Sequence, residues 1–147
     1  MTYYGQTTTL RDALIGVVEN ITWLSGRVHK NTWNHNQDFP QAYVVLYDDD
    51  VELESVTRGT YYINPRYNIV FMNETTGTPE TDKDIVTSGI GAIFDQIRGT
   101  TTNYSGSVAW EKAEIESFNH NYISPGATPA VVKEASMNVR VTKRIPG

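Results

Sequence analysis

The chain has 147 residues, 39% hydrophobic and 11% aromatic, with a net charge of −5 and no cysteine. That length suits one domain with its own core, the aromatic content excludes wholesale disorder, and no apolar run reaches the ~20 residues of a membrane helix. Without cysteine there are no disulfides, thiolate metal sites or cysteine nucleophiles, and the acidic balance argues against a grip on nucleic-acid phosphates, which takes clustered Lys and Arg.

The N-terminus carries no basic stretch followed by an apolar core, so no secretory signal is expected. The first element expected is a helix over residues 10–24. Thr9 suits the N-cap with Asp12 three residues on, and Leu10, Leu14, Val17, Ile21 and Leu24 recur at helical spacing, with Ala13 and Val18 widening the stripe. Gly26 follows as a stop. Residues 27–40 are polar and unpatterned and read as a long loop closing at Phe39-Pro40. Residues 42–47 read as a short strand buried on both faces, and Asp48-Asp49-Asp50 as a turn. Residues 51–63 then read as a long strand, Asn64-Pro65-Arg66 as a second turn, and residues 67–72 as a third strand closing an antiparallel hairpin.

Beyond a loop at residues 74–80, Thr81 is placed to cap a second helix with Asp84 three residues on. Ile85, Val86, Ile90, Ile93, Phe94 and Ile97 form its apolar stripe, and Gly99 ends it. Gly89 and Gly91 each weaken that helix by ~1 kcal/mol relative to Ala, which suggests that another element comes close there. Residues 100–106 read as a polar loop. Residues 107–118 form a strand whose apolar phase switches from Val108 and Trp110 to Ala113 and Ile115, as a β-bulge near Glu111-Lys112 explains. After a Pro/Gly loop at 124–129, the last strand sets Val131, Ala135, Met137, Val139 and Val141 on one face, with Lys133 interrupting it. Glu134, Ser136, Asn138, Arg140 and Thr142 occupy the other. The order α-β-β-β-α-β-β implies an α+β fold: a mostly antiparallel sheet with two helices packed on one face, in a single domain over residues 1–147.

Few residues suggest chemistry. His29, His35 and His120 match no ligand spacing, although His29, His35 and Asp38 share a loop. The run Asp48-Asp49-Asp50-x-Glu52-x-Glu54 lacks the glycine of a calcium loop, which leaves a solvated turn or an acidic rim facing a partner. Gly89-x-Gly91 lies within a helix and has no third glycine, so it does not cradle a phosphate in the usual way. No nucleophile elbow occurs. Catalytic, cofactor and metal residues are therefore expected to be absent, and the chain is not expected to be an enzyme. Arg140, Lys143 and Arg144 make the C-terminal strand locally basic. They form either its polar face or a contact to Asp48, Asp49, Asp50 and Glu52 of a second copy, a head-to-tail arrangement that closes into a ring if the rotation permits.

Over nearly its full length the chain resembles the tail terminator (tail-completion or minor tail) proteins of long-tailed phages. The likeness lies in element order. An amphipathic helix at residues 10–24 follows a short N-terminus, a polar loop ends at Phe39-Pro40-Gln41-Ala42, and a strand with an acidic turn runs over 43–54. A hairpin, a second helix and a final alternating strand complete it. The resemblance implies a structural virion protein, a subunit of a hexameric ring that caps the tail tube, stops its polymerisation and faces the head-side connector. Its implied partners are copies of itself, the tail tube protein and the connector, with DNA passing through the lumen unbound and no membrane contact. Its implied place is the virion tail or neck, after the host cytoplasm. The segments 27–38, 51–67 and 100–106 are the contacts implied to neighbouring rings, whereas the loop at 124–129 has no counterpart. Another head–tail connector subunit and a small protein-binding adaptor are the alternatives.

Overall fold

The computed structural model describes residues 3–34, 36–48, 51–53, 61–74, 78–99, 110, 112–123 and 132–145. Two helices, α1 (Tyr3–Glu19) and α2 (Pro79–Arg98), pack on one face of a seven-stranded sheet. Its strands are β1 (Val28–Lys30), β2 (Gln41–Asp48), β3 (Val51–Leu53), β4 (Tyr61–Ile63), β5 (Arg66–Glu74), β6 (Lys112–Ile123) and β7 (Val132–Ile145). The order is β1-β2-β5-β7-β4-β3, with β6 also paired to β7; only β1 and β2 run parallel. The chain thus has the α+β architecture that its element order implies.

The first helix starts before the expected cap. Thr9 sits inside α1, where its Oγ1 donates to Gly5 O at 2.6 Å, a back-bond that spends the hydroxyl within the helix. The apolar stripe is as expected: Leu10, Ala13, Leu14, Val17 and Val18 are buried. The helix stops at Glu19, because Asn20, Ile21 and Thr22 are weak helix formers in succession. Thr22–Leu24 instead make a 3-10 turn that buries Leu24 and leaves Trp23 45% exposed. Gly26, at φ 72°, then takes a left-handed conformation that a side chain would strain, and the chain enters β1. Part of the expected loop is therefore a strand, held parallel to β2 with Val28 opposite Ala42.

The expected turn at Asn64-Pro65-Arg66 is not a reversal. Ile63 lies opposite Lys143 and Arg66 opposite Arg140, so both strands advance three residues with no change of register. Val141 N–H donates to Pro65 O at 3.0 Å, and Thr142 Oγ1 to Asn64 Oδ1 at 2.8 Å, so the ladder runs through the proline. Proline costs nothing here because its oxygen, not a missing N–H, faces β7. The acidic turn is corrected likewise. Asp48 lies opposite Arg66 and Val51 opposite Ile63, the same step on each strand, so β2 and β3 run in one direction. The hairpin pairs β2–β3 with β4–β5, and the expected single strand over 51–63 is instead two strands paired with each other. Asp49, Asp50 and residues 54–60 lie outside the described residues.

Helix α2 begins at Pro79 with Thr78, not Thr81, at the N-cap. Proline loses nothing at the first helical position, and Glu80 and Asp82 in the first turn with Arg98 in the last complement the helix dipole. Val86, Ile90, Ile93 and Ile97 are buried, and Gly99 is the C-cap. The register shift in β6 falls between Ile115 and Ser117 rather than near Lys112, while Glu111 and the loops at 100–106 and 124–129 lie outside the described residues.

The main core lies between helices and sheet and includes Tyr67, Ile69, Phe71, Met137, Val139, Val141 and Trp110. Tyr67 OH donates to the Thr7 carbonyl of α1, tying the buried phenol to the helix layer. Strand β2 is buried on its helix face, with Ala42 and Val44 inaccessible, but Tyr47 on its other face is 49% exposed.

That other face of the sheet carries a second, smaller cluster of Val70, Met72 and Val132, with Trp33, Phe39 and Tyr43 packed against it. Residues 31–34 and 36–40 therefore form a cap and not an open loop. Trp33 and Phe39 stack with centroids 5.6 Å apart, and the Phe39-Pro40 peptide is cis. Gln41, fully buried, fastens the cap: its Oε1 accepts from Asn34 N–H at 2.8 Å, and its Nε2 donates to Asn34 O at 2.9 Å and Gln37 O at 2.7 Å.

Candidate functional site

Of the residues expected at an interface, Asp49 and Asp50 lie outside the described residues, and Asp48, Glu52, Arg140, Lys143 and Arg144 fall at one end of the sheet. Asp48 ends β2 opposite Arg66, and Arg66 lies opposite Arg140 on β7. Glu52 lies opposite Tyr62, and Tyr62 opposite Arg144; Lys143 lies opposite Ile63. The acidic and basic strands thus flank one shared strand, about 10 Å apart at two strand spacings. Arg140 has acidic company in its own chain, since Glu114 stands opposite it on β6. Its other cross-strand neighbour, Arg66, places Nε 3.1 Å from Glu116 Oε1. Lys143, half-buried, and Arg144, exposed, are the cations at the outer end of β7.

The histidine loop is arranged by amides. His29 Nε2 lies 2.6 Å from Gln37 Oε1, and Gln37 Nε2 donates to Gly26 O at 3.0 Å. Because that second bond assigns the amide nitrogen, His29 Nε2 is the donor to Gln37. His35 lies outside the described residues, and Asp38 offers its backbone carbonyl to Arg27 at 2.7 Å. Among the described residues no three His, Asp or Glu side chains gather into a group able to hold a metal ion. No helix among them is long and apolar enough to cross a membrane.

A concavity lies elsewhere, at the junction of the 3-10 turn, β5 and the first half of α2. It is an open groove of about 430 Å³ with Phe71 and Gly89 at its floor, Trp23, Pro40 and Ile85 as walls, and Asn73, Thr81, Asp84 and Ser88 around it. Its form follows from one glycine. A Cβ on Gly89 would overlap the Phe71 ring, so the bare helix backbone lets that ring lie against it. Trp23 meets the same ring edge-on, with centroids 5.6 Å apart and an interplanar angle of 86°. Thr81, Ile85 and Ser88 share one helix face by their spacing and present it to the groove. Among the described residues Asp84, exposed on the lip, has no cationic partner. Apolar floor, exposed indole and carboxylate together form a seat for a cation carried on an apolar stem.

No protein-family model matches the chain, and no curated protein matches it.

Sequence reasoning pointed to Gly89 and Gly91 as close-approach residues; Gly89 meets Phe71, whereas nothing lies within 4 Å of a Cβ built at Gly91, and the reasoning did not join Phe71 and Gly89 to Trp23, which it left uninterpreted at the end of the first helix. The available signal was a tryptophan at a helix end with a glycine pair in the next helix. One titrating group, Tyr43 of β2, sits beneath the cap. Burial pushes the Tyr43 phenol above its ordinary 10.0, and the Glu134 charge adds to that. The folded chain then holds this proton more tightly than the unfolded chain, so the stabilisation is complete below pH 10 and is lost as pH rises through the higher folded value. Chemical denaturation of wild type and Tyr43→Phe should give a constant stability difference up to about pH 9 and a growing relative loss for wild type above pH 10. A difference independent of pH would remove Tyr43 as the source.

Proposed function

We propose that the chain is a structural subunit of a ring at the head-proximal end of a phage tail, where it ends the tail tube and joins it to the neck. The observation that carries this reading is the order and layering of its elements. An amphipathic helix leads to a polar segment closing at Phe39-Pro40, then a long hairpin, a second helix and two closing strands, all in one helix-on-sheet sandwich. The hairpin supports it further. Helix α1 packs over β1 and β2 and helix α2 over β5, β6 and β7, whereas β4 leans chiefly on β3 and β7, which leaves the β3 edge of the sheet for a neighbour in this reading. A net charge of −5 suits a lumen through which DNA passes without sticking. The reading assigns no catalytic residue and places the chain in the virion tail or neck, with tail tube and head-side connector as partners.

Sedimentation and negative-stain imaging of the purified chain, alone and with isolated tail tubes, test this. Rings in solution or on tube ends are the expected result, and Lys143→Glu with Arg144→Glu should weaken assembly. A monomer that neither self-associates nor decorates tube ends rules the reading out.

A further inference from the structure

We infer that the groove between Trp23 and Asp84 is the socket for the basic end of β7 from the next copy of this chain. This rests on the ring reading above and names the contact that joins its subunits. The occupant is set by charge and by place. The lip carries the Asp84 carboxylate, and Glu80 is exposed one turn away on the same helix. The floor and walls are apolar, and the indole of Trp23 is open to solvent. A guanidinium suits this combination: it stacks on an aromatic face, pairs with a carboxylate and brings methylenes to the apolar floor. In a chain of net charge −5, Arg140, Lys143 and Arg144 concentrate cations on one short stretch, and Arg144 is its exposed member.

Geometry makes the contact intermolecular. The groove abuts Phe71, which lies opposite Ala135 on β7, while Arg144 lies opposite Tyr62 at the other end of the same ladder. Nine residues of strand separate the two levels, about 30 Å, so no chain fills its own socket. Two different surfaces at opposite ends of a subunit make a heterologous contact, which propagates head to tail and closes when the rotation permits. The acidic strand flanking β4 serves this poorly, because it lies beside the basic strand rather than away from it.

Zero-length carbodiimide coupling of Arg144→Lys, in an equal mixture of 14N- and 15N-labelled protein, reads the contact directly. The expected product is a mixed-isotope peptide joining residue 84 to residue 144. Asp84→Asn should reduce it by at least about tenfold, since it removes the coupled carboxylate. Trp23→Ala, which leaves that carboxylate in place, should also reduce it several-fold. In a parallel arm, Asp84→Arg and Arg144→Asp should each prevent assembly and, combined in one chain, restore it. Rings that persist in both single variants, or coupling of residue 144 only to carboxylates outside the groove, overturn the socket and leave the ring reading standing. Absence of both rings and mixed-isotope coupling overturns the two together.

Discussion

Gly89→Ala should destabilise the protein by about 1–3 kcal/mol, although alanine is the better helix former. The reason is local. The added methyl overlaps the Phe71 ring, which is 2% exposed and braced from another side by Trp23, so it has little room to retreat. Gly91 supplies the control. No atom lies within 4 Å of a Cβ built there, so Gly91→Ala should stabilise by up to about 1 kcal/mol through helix propensity alone. Urea denaturation of the two variants should therefore show shifts of opposite sign at positions two residues apart. Equal and positive shifts would mean that Phe71 moves freely and that the groove floor is not held by this contact. Leucine at position 89 should cost more than alanine and should fill the groove floor.

Gln41→Leu should cost about 1–3 kcal/mol, because it deletes three part-buried hydrogen bonds made by a fully buried side chain. Its partners are the Asn34 N–H and the carbonyls of Asn34 and Gln37, and they are the fastening of the cap to the sheet. Gln41→Glu is the sharper test: its carboxylate still accepts from Asn34 N–H but faces two carbonyl oxygens, so it should cost at least as much as leucine. Hydrogen exchange at the Asn34 amide should accelerate in both variants, while amides of β5 and β7 report only the global loss. An unchanged Asn34 amide would show that the cap is held by the Trp33–Phe39 stack and not by the amide.

The two residues illustrate different depths of legibility. Gly89 was conspicuous because a glycine in a helical pattern costs stability and calls for a compensating close approach. What approaches it was invisible, since Phe71 is remote in sequence. Gln41 gave no signal at all. A glutamine between Pro40 and an apolar run reads as a boundary residue, and its burial goes with the packing of Trp33 and Phe39 over the second face of the sheet. The expected interface residues were visible as charge clusters, but their adjacency across β4 depends on strand order, which no local pattern encodes.

The amino-acid sequence by itself determined the fold class, the apolar faces of both helices and the alternation of β7, because those follow from local periodicity at 3.6 and 2 residues. It misled at Asn64-Pro65, where residues that usually break strands lie between β4 and β5 with no change of register against β7, and at Asp48, which ends β2 just past a register shift instead of starting a reversal. Turn propensity is a local preference, and there it yields to register: the Pro65 oxygen accepts from Val141 N–H and Asn64 Oδ1 from Thr142, even though the buried Asn64 Nδ2 is left without a hydrogen-bond partner. Strand order, the cap on the second sheet face and the Trp23–Phe71–Gly89 groove were decided only by tertiary structure. Each joins segments remote in sequence, and the free energy that selects them comes from burying surfaces against one another, not from any one segment's own preference.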